Sequence, residues 1–200
     1  MRHVFVCPME DTIVISAVEV FSESRIYGSL IFDTYEPEAV SPFPYVSAYF
    51  QEYNRQRGPL RRFLQEHTYG LKPHNYLLAL HDDATDLEAH ALSELLIACG
   101  AKETLMEYRA FLLSDLDRYI AVTGSKRAVT VTMVLNDQDV TERIFIPINE
   151  AYYDAVMDAV NELDPENKLP IFRFGVGREL YSVGESVHAS TIVRNFIRTI

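Results

Sequence analysis

Cysteine, glycine, proline and positive charge are all scarce in this chain, and each scarcity excludes something. The two cysteines, Cys7 and Cys99, have no CxxC partner, so neither a zinc site nor a disulfide scaffold is indicated. Only 8 glycines and 9 prolines in 200 residues argue against long disordered segments. Lysine and arginine number 18 against 29 acidic residues, a formal net charge of −11. Phosphates would be repelled, which disfavours nucleic acid and anionic membrane surfaces as partners. No run of about 20 apolar residues exists to span a membrane, and the apolar run in "MRHVFVCPMED" is too short for a signal peptide. A soluble, cytoplasmic protein without membrane insertion or a metal centre is the expectation.

What is present can build a core. The chain is 48% hydrophobic and 12% aromatic, and its length suits one large domain or two small ones. "HVFVC" (3–7), "TIVISAVEV" (12–20) and "RIYGSLIFD" (25–33) read as three strands, rich in β-branched and aromatic residues. "EPEAVSPFP" (36–44) is a proline-punctuated loop. Helical spacing of apolar residues follows from Tyr45 to about Glu66, with Gly58-Pro59 predicted to split it into two helices. "YLLAL" (76–80) suits a strand buried on both faces. A helix over 86–98 carries the stripe Leu87, Ala91, Leu92, Leu95, Leu96 and Ala98, and Gly100 terminates it. "ETLMEYRAFLLSD" (103–115) starts as a strand and can become a short helix.

The pattern then begins again. "YIAVTG" (119–124), "AVTVTMVLN" (128–136) and "TERIFIPI" (141–148) are three short strands, the first two joined by the turn "GSKR". A helix over 149–163, a strand in "LPIFRFGVG" (169–177) and a helix over 189–200 complete it. The order β-β-β-α-β-α therefore occurs twice without sequence identity between the halves. The predicted fold class is α/β, a duplicated RNase-H-like fold with mixed sheets, in halves 1–116 and 117–200.

Doubled β-β-β-α-β-α order describes the superfamily of actin, sugar kinases and heat-shock ATPases. Within it, Leu80, Thr85-Asp86-Leu87-Glu88, Ala91 and Gly100-Ala101-Lys102-Glu103 resemble the bacterial actin MreB. There a strand ends in a polar turn, and a Thr-x-x-Glu helix runs to Gly-Ala-Lys before the next strand. "ERIFIPINEAYYDAVMDAVNEL" resembles a later strand-to-helix segment of the same proteins. The resemblance implies an aspartate at the end of the first strand of each half to hold hydrated Mg²⁺. It also implies glycine-rich hairpins whose amides cradle the phosphates of ATP. The chain departs from both expectations. Pro8 and Met9 stand where the small first hairpin belongs, and Pro8 has no N–H. In "AVTGSKRAVTV" Ala121 replaces the second aspartate and a single glycine, Gly124, remains. A shifted alignment offers Glu10 or Asp11 in the first half and nothing in the second.

Each candidate site has a competing reading. By resemblance Glu88 is the general base that activates water; alternatively Thr85 and Glu88 form a capping box, with Asp82, Asp83 and Asp86 favouring the positive end of the helix. His81 and His90 do not have metal-ligand spacing. Gly124, Ser125 and Lys126 offer an anion site or a solvated hairpin turn. Gly175 and Gly177 fall where superfamily members contact adenosine, or form a plain strand-to-loop turn. In residues 43–63 aromatics precede Arg55, Arg57, Arg61 and Arg62, the one basic concentration in the chain. They suit an amphipathic helix pair or a protein interface anchored by Tyr49, Tyr53, Arg57 and Arg61. The favoured function is a non-catalytic actin-like scaffold or regulatory module, self-associating as a homodimer or binding another protein, with no cofactor. The alternative is an ATPase or phosphotransferase using ATP with Mg²⁺.

Overall fold

The computed structural model describes residues 1–22, 25–26, 30–37, 53–70, 72–135 and 142–200. The chain divides into two compact units. The first comprises Met1–Leu80, Ala84–Glu107 and Phe196–Ile200; the second comprises His81–Asp83 and Tyr108–Asn195.

In the first unit, β1 (Arg2–Pro8) and β2 (Ile13–Ser22) form an antiparallel hairpin closed by the Met9 amide on the Thr12 carbonyl. β1 also runs parallel to β5 (Asn75–Leu80), so it is central and buried on both faces from His3 to Cys7. That is why both strands read as continuous apolar runs and not as alternating ones. The single strand expected over 25–33 is instead two short pieces. β3 (Arg25–Ile26) and β4 (Asp33–Tyr35) pair with opposite ends of β2, and the β2–β3 register shifts at Val20/Ser22. Ile31, between the two pieces, is exposed. β6 (Glu103–Tyr108) extends the sheet beyond β5, giving the order β3-β2-β1-β5-β6 with β4 also on β2.

Helix α1 (Tyr53–His67) contains Pro59 in its interior, so the predicted break at Gly58-Pro59 does not occur. Anchors on both sides of the proline hold the helix together. Gln56 accepts a 2.8 Å hydrogen bond from the Tyr35 hydroxyl, and Leu60 and Leu64 are fully buried. Such burial outweighs the intrinsic penalty of an interior proline, about 3 kcal/mol. α1 packs against α2 (Asp86–Cys99). α2 buries Ala89, Leu92, Ser93, Leu95, Leu96 and Cys99, so its inner face is rotated from the expected stripe and Leu87 lies 77% exposed. Gly100, at φ 116°, stops α2 as expected, its amide donating to Leu96 and Ile97 carbonyls. Cys7 and Cys99 are buried free thiols.

The second unit repeats the plan. β7 (Arg118–Gly124) pairs antiparallel with β8 (Ala128–Leu135), which pairs antiparallel with β9 (Glu142–Pro147). β10 (Ile171–Phe174) runs parallel to β7, as β5 does to β1. A two-residue strand, β11 (Glu185–Ser186), adds to β10 and gives the order β11-β10-β7-β8-β9. One face of this sheet, from Ile120, Val122, Val129, Val131 and Ile146, packs with Val156, Ala159, Val160 and Leu163 of α3 (Tyr153–Leu163). α3 begins four residues later than expected because residues 147–152 form a turn, with Glu150 donating to Pro147 and Tyr152 to Glu150. α4 (Ala189–Thr199) ends the chain. With β3 and β4 in the place of one third strand and β11 added after β10, β-β-β-α-β-α order runs twice along the chain, the last residues of α4 belonging to the first unit.

Pro59→Ala restores an N–H that can reach the carbonyl four residues back in α1. Stability to urea is expected to rise by about 1–3 kcal/mol. A fall would show that packing on α1 requires the proline ring.

Candidate functional site

Asp82 and Asp83, the first acidic residues after β5, are bonded away from the helix that follows them. Asp82, 4% exposed, accepts the Ala110 amide on both carboxylate oxygens, at 3.0 and 3.2 Å, and the Thr123 hydroxyl at 2.6 Å. Asp83 accepts the Ser125 hydroxyl at 2.6 Å and Nε of Arg127 at 3.2 Å, while Nη2 of Arg127 donates to the Asp83 carbonyl at 2.7 Å. Asp82 and Asp83 form the turn that follows β5, and their carboxylates take different partners. Asp82 takes the interior of the second unit and Asp83 the β7–β8 turn. The expectation that both favour the α2 dipole is replaced by this arrangement. Asp86 alone of the three lies in the first turn of α2.

The capping box is real and local. The Glu88 amide donates to the Thr85 hydroxyl at 3.3 Å, and the Glu88 carboxylate accepts the Thr85 amide at 2.9 Å. His90 is exposed on α2 and His81 is half-buried. Among the described residues no three His, Cys, Asp or Glu side chains are grouped to hold a metal ion.

The β7–β8 turn is bonded within itself. Ser125 donates its amide to Ala128, and its hydroxyl oxygen accepts the amides of Arg127 (3.0 Å) and Ala128 (3.1 Å). With its proton on Asp83, that hydroxyl has used one donor and two acceptor sites, its whole capacity. Gly124 is required by backbone proximity, since a Cβ there would collide with the Gly175 carbonyl. Gly175 sits at φ 67°, which favours glycine. Gly124, Ser125, Lys126 and Gly175 are therefore brought together at one end of the second sheet, with Gly177 two residues on. At Gly177 a Cβ would meet the Glu179 carboxylate. Ala121 is fully buried mid-strand between Phe172 and Thr132.

In the first unit the β1–β2 turn follows the same economy. Pro8 ends β1 with no N–H to offer, the Met9 amide is used by Thr12, and Glu10 and Asp11 occupy the tip. Of the proposed anchors, Arg57 and Arg61 are exposed on α1, and Nε of Arg57 donates to the Ala98 carbonyl at 3.3 Å. Tyr49 and the side chain of Tyr53 lie outside the described residues.

Two roles escape the sequence reading. Asp82 is the buried tie of the second unit. Arg109 is a fully buried cation whose Nη1 donates to the Gly124 carbonyl at 3.2 Å and whose guanidinium lies 5.6 Å from the Phe174 ring centroid. The signal for the first was an Asp-Asp pair directly after a fully apolar strand. For the second it was a lone arginine inside "YRAFLL".

No family model matches the chain, and no curated protein matches it. Solved structures do. The ethanolamine utilization protein EutJ from Carboxydothermus hydrogenoformans superposes with a TM-score of 0.57 at 13% identity, over 99% of this chain and 81% of that one. The cytoplasmic domain of EpsL, an inner membrane component of the type II secretion system of Vibrio cholerae, gives 0.53 at 8% identity, over 100% and 96%. The fold is that of the actin-like ATPases. MreB5 of Spiroplasma citri bound to AMPPNP matches at a TM-score of 0.49 and 13% identity, and the chain spans 57% of it. With the actin-like fold in place, the two hairpins whose turns are closed on themselves, after β1 and after β7, are those the sequence assigned to phosphate.

Burial raises the Asp82 carboxyl above the usual carboxylate range, against the opposing pull of the Thr123 hydroxyl, the Ala110 amide, and Arg109 and Arg143. A carboxyl so shifted stabilises the fold most below its ordinary value, about 4. That contribution is lost as pH rises through the raised folded value. Asp82→Asn abolishes the titration, so the stability of the unaltered protein relative to the variant should fall across that window. Urea unfolding of both proteins from acid to neutral pH measures it; a constant difference would uncouple Asp82 ionisation from folding.

Proposed function

We propose that this chain is a non-catalytic actin-like protein, a scaffold or regulatory interaction module that has kept the fold and lost the loops for nucleotide phosphate and Mg²⁺. The observation that carries the reading is the carboxylate of Asp83 on the β7–β8 turn. It takes the Ser125 hydroxyl and the Arg127 guanidinium, the groups with which such a turn would hold a phosphate. An incoming phosphate would meet a negative charge there, and amides already bonded to Ser125. Ala121 supplies no metal ligand, Pro8 has no N–H, and the Met9 amide is taken by the Thr12 carbonyl. Glu88, held by Thr85, has no activated phosphate to serve as a base. ATP with Mg²⁺ does not fit these residues, and no catalytic step is assigned.

A scaffold needs a surface. Residues 43–63, with Tyr49, Tyr53, Arg57 and Arg61 as anchors, are assigned to self-association or to an acidic protein partner in the cytoplasm. No helix among the described residues is long and apolar enough to cross a membrane. The EpsL domain, part of a secretion system, is a precedent for this fold within a larger assembly.

Phosphate release from magnesium-ATP should be indistinguishable from buffer, and unchanged by Glu88→Gln. Turnover abolished by that substitution would replace the scaffold reading with the ATPase. For the surface, sedimentation of the protein should show salt-sensitive association that Arg61→Glu weakens about tenfold, at an unaltered melting temperature. A monomer at high concentration that also ignores acidic partners would remove the assignment.

A further inference from the structure

Among the described strands, β9 pairs with β8 alone and is the edge of the second sheet. Its hydrogen-bonding groups alternate in direction. The Ile148 amide donates inward to the Arg127 carbonyl, so by alternation Ile146 and Ile144 bond to β8 and Arg143 and Phe145 present their N–H and C=O outward. Pro147 falls on an outward position, where a missing N–H costs the sheet nothing. Two successive outward residues with both groups free suffice for a short added strand.

The surroundings of this edge are unusual for a solvated one. Phe145 is 52% exposed on the face opposite α3, while Ile148, Tyr152 and Tyr153 are 37%, 60% and 43% exposed where the turn enters α3. Since side chains of a strand alternate between faces, a strand laid beside β9 would set one row on Phe145 and the other toward Tyr152 and Tyr153. Aromatic residues on both sides of one edge are what such an addition would bury. Charge gives the sign of the occupant. Between residues 142 and 166 the sequence holds Glu142, Glu150, Asp154, Asp158, Glu162, Asp164 and Glu166 against Arg143 alone. Arg143 is directed inward, its guanidinium 4.9 Å from the ring centroid of Tyr108 and 5.5 Å from that of Phe111. Of these carboxylates all but Asp164 are exposed, Glu142, Glu150 and Asp154 being nearest in sequence to β9 and the turn after it. The aromatic edge is therefore rimmed by negative charge.

We propose that β9 is a docking edge for an extended, basic segment of a partner protein, which adds an antiparallel or parallel strand to the second sheet. Its alternate apolar side chains cover Phe145 on one face and the Tyr152–Tyr153 corner on the other. Its lysines or arginines pair with the acidic rim. The proposal stands whether or not the chain hydrolyses ATP.

The probe is a short synthetic peptide alternating valine with lysine, compared with one alternating valine with glutamate. The basic peptide should bind at least about tenfold more tightly, and its binding should slow amide exchange at Arg143 and Phe145. Phe145→Ser, at an exposed position, and separately the charge reversal Glu142→Lys with Asp154→Lys, should each weaken binding about tenfold without moving the melting temperature. Equal binding of both peptides, no binding, or protection elsewhere in the chain overturns the proposal. So does sedimentation showing that the protein alone forms an oligomer dispersed by Phe145→Ser, since the occupant would then be a second copy.

Discussion

A carboxylate removed from water must find donors or lose its charge, and Asp82 is where this chain meets that constraint. Two oxygens accept one backbone amide and one hydroxyl, from residues 28 and 41 positions away in sequence. Around that tie the rest of the second unit is arranged. Ala110, whose amide is held by Asp82, has its carbonyl held by the Tyr119 hydroxyl at 2.7 Å, which fixes the 3-10 turn Arg109–Leu112 against β7. Arg109 next to it reaches the carbonyl of Gly124, one residue beyond Thr123. A buried carboxyl and a buried guanidinium thus grip adjacent residues, Thr123 and Gly124, at the end of one strand. A lost partner strands a polar group in a low-dielectric interior, and here Nε and Nη2 of Arg109 are already buried without a hydrogen-bond partner.

Asp83 extends the same logic to the surface. It is the second residue of the turn after β5, and its carboxylate meets the β7–β8 turn. Its partners, a hydroxyl and a guanidinium, are the chemistry proteins use to recognise oxyanions, here satisfied by an anion of the chain itself. Local hydrogen bonding of this kind competes with any external ligand, since a phosphate must first displace a neighbour tethered at high effective concentration.

Periodicity and composition made much of the fold legible. The apolar runs of β1, β5 and β7 announce central strands, and the [S/T]-x-x-E signature marks the start of α2 to the residue. The errors have physical causes. Pro59 was given its intrinsic preference, which the burial of Leu60 and Leu64 and the bond from Tyr35 to Gln56 override. Leu87 was placed inside by spacing alone, but α2 buries the polar Ser93 instead, whose hydroxyl is hydrogen-bonded to that of Thr104. The segment 25–33 has strand composition, yet it pairs with β2 only at Arg25–Ile26 and again from Asp33, at the other end of β2. For the candidate site, residue types were legible and partnerships were not. Asp82 and Asp83 lie beside α2 in sequence, so local reasoning assigned them to it. Their true partners are more than twenty residues away, beyond the reach of any pattern with a helical or strand period.

Gly124 and Gly175 meet backbone to backbone, and this has a consequence for how the sequence can vary. A side chain at position 124 is refused by the Gly175 carbonyl, and a side chain at 175 by its own φ of 67°. Neither constraint can be relieved by adjusting a rotamer, because no side chain participates. A side chain at 124 must displace the Gly175 carbonyl, and strain at 175 is relieved by turning the backbone of that same residue, so the two positions are coupled. Once one glycine has been replaced and the strand ends have separated, replacing the other adds less than it would alone. Sequence change at this spot is consequently a threshold event and not a gradual drift.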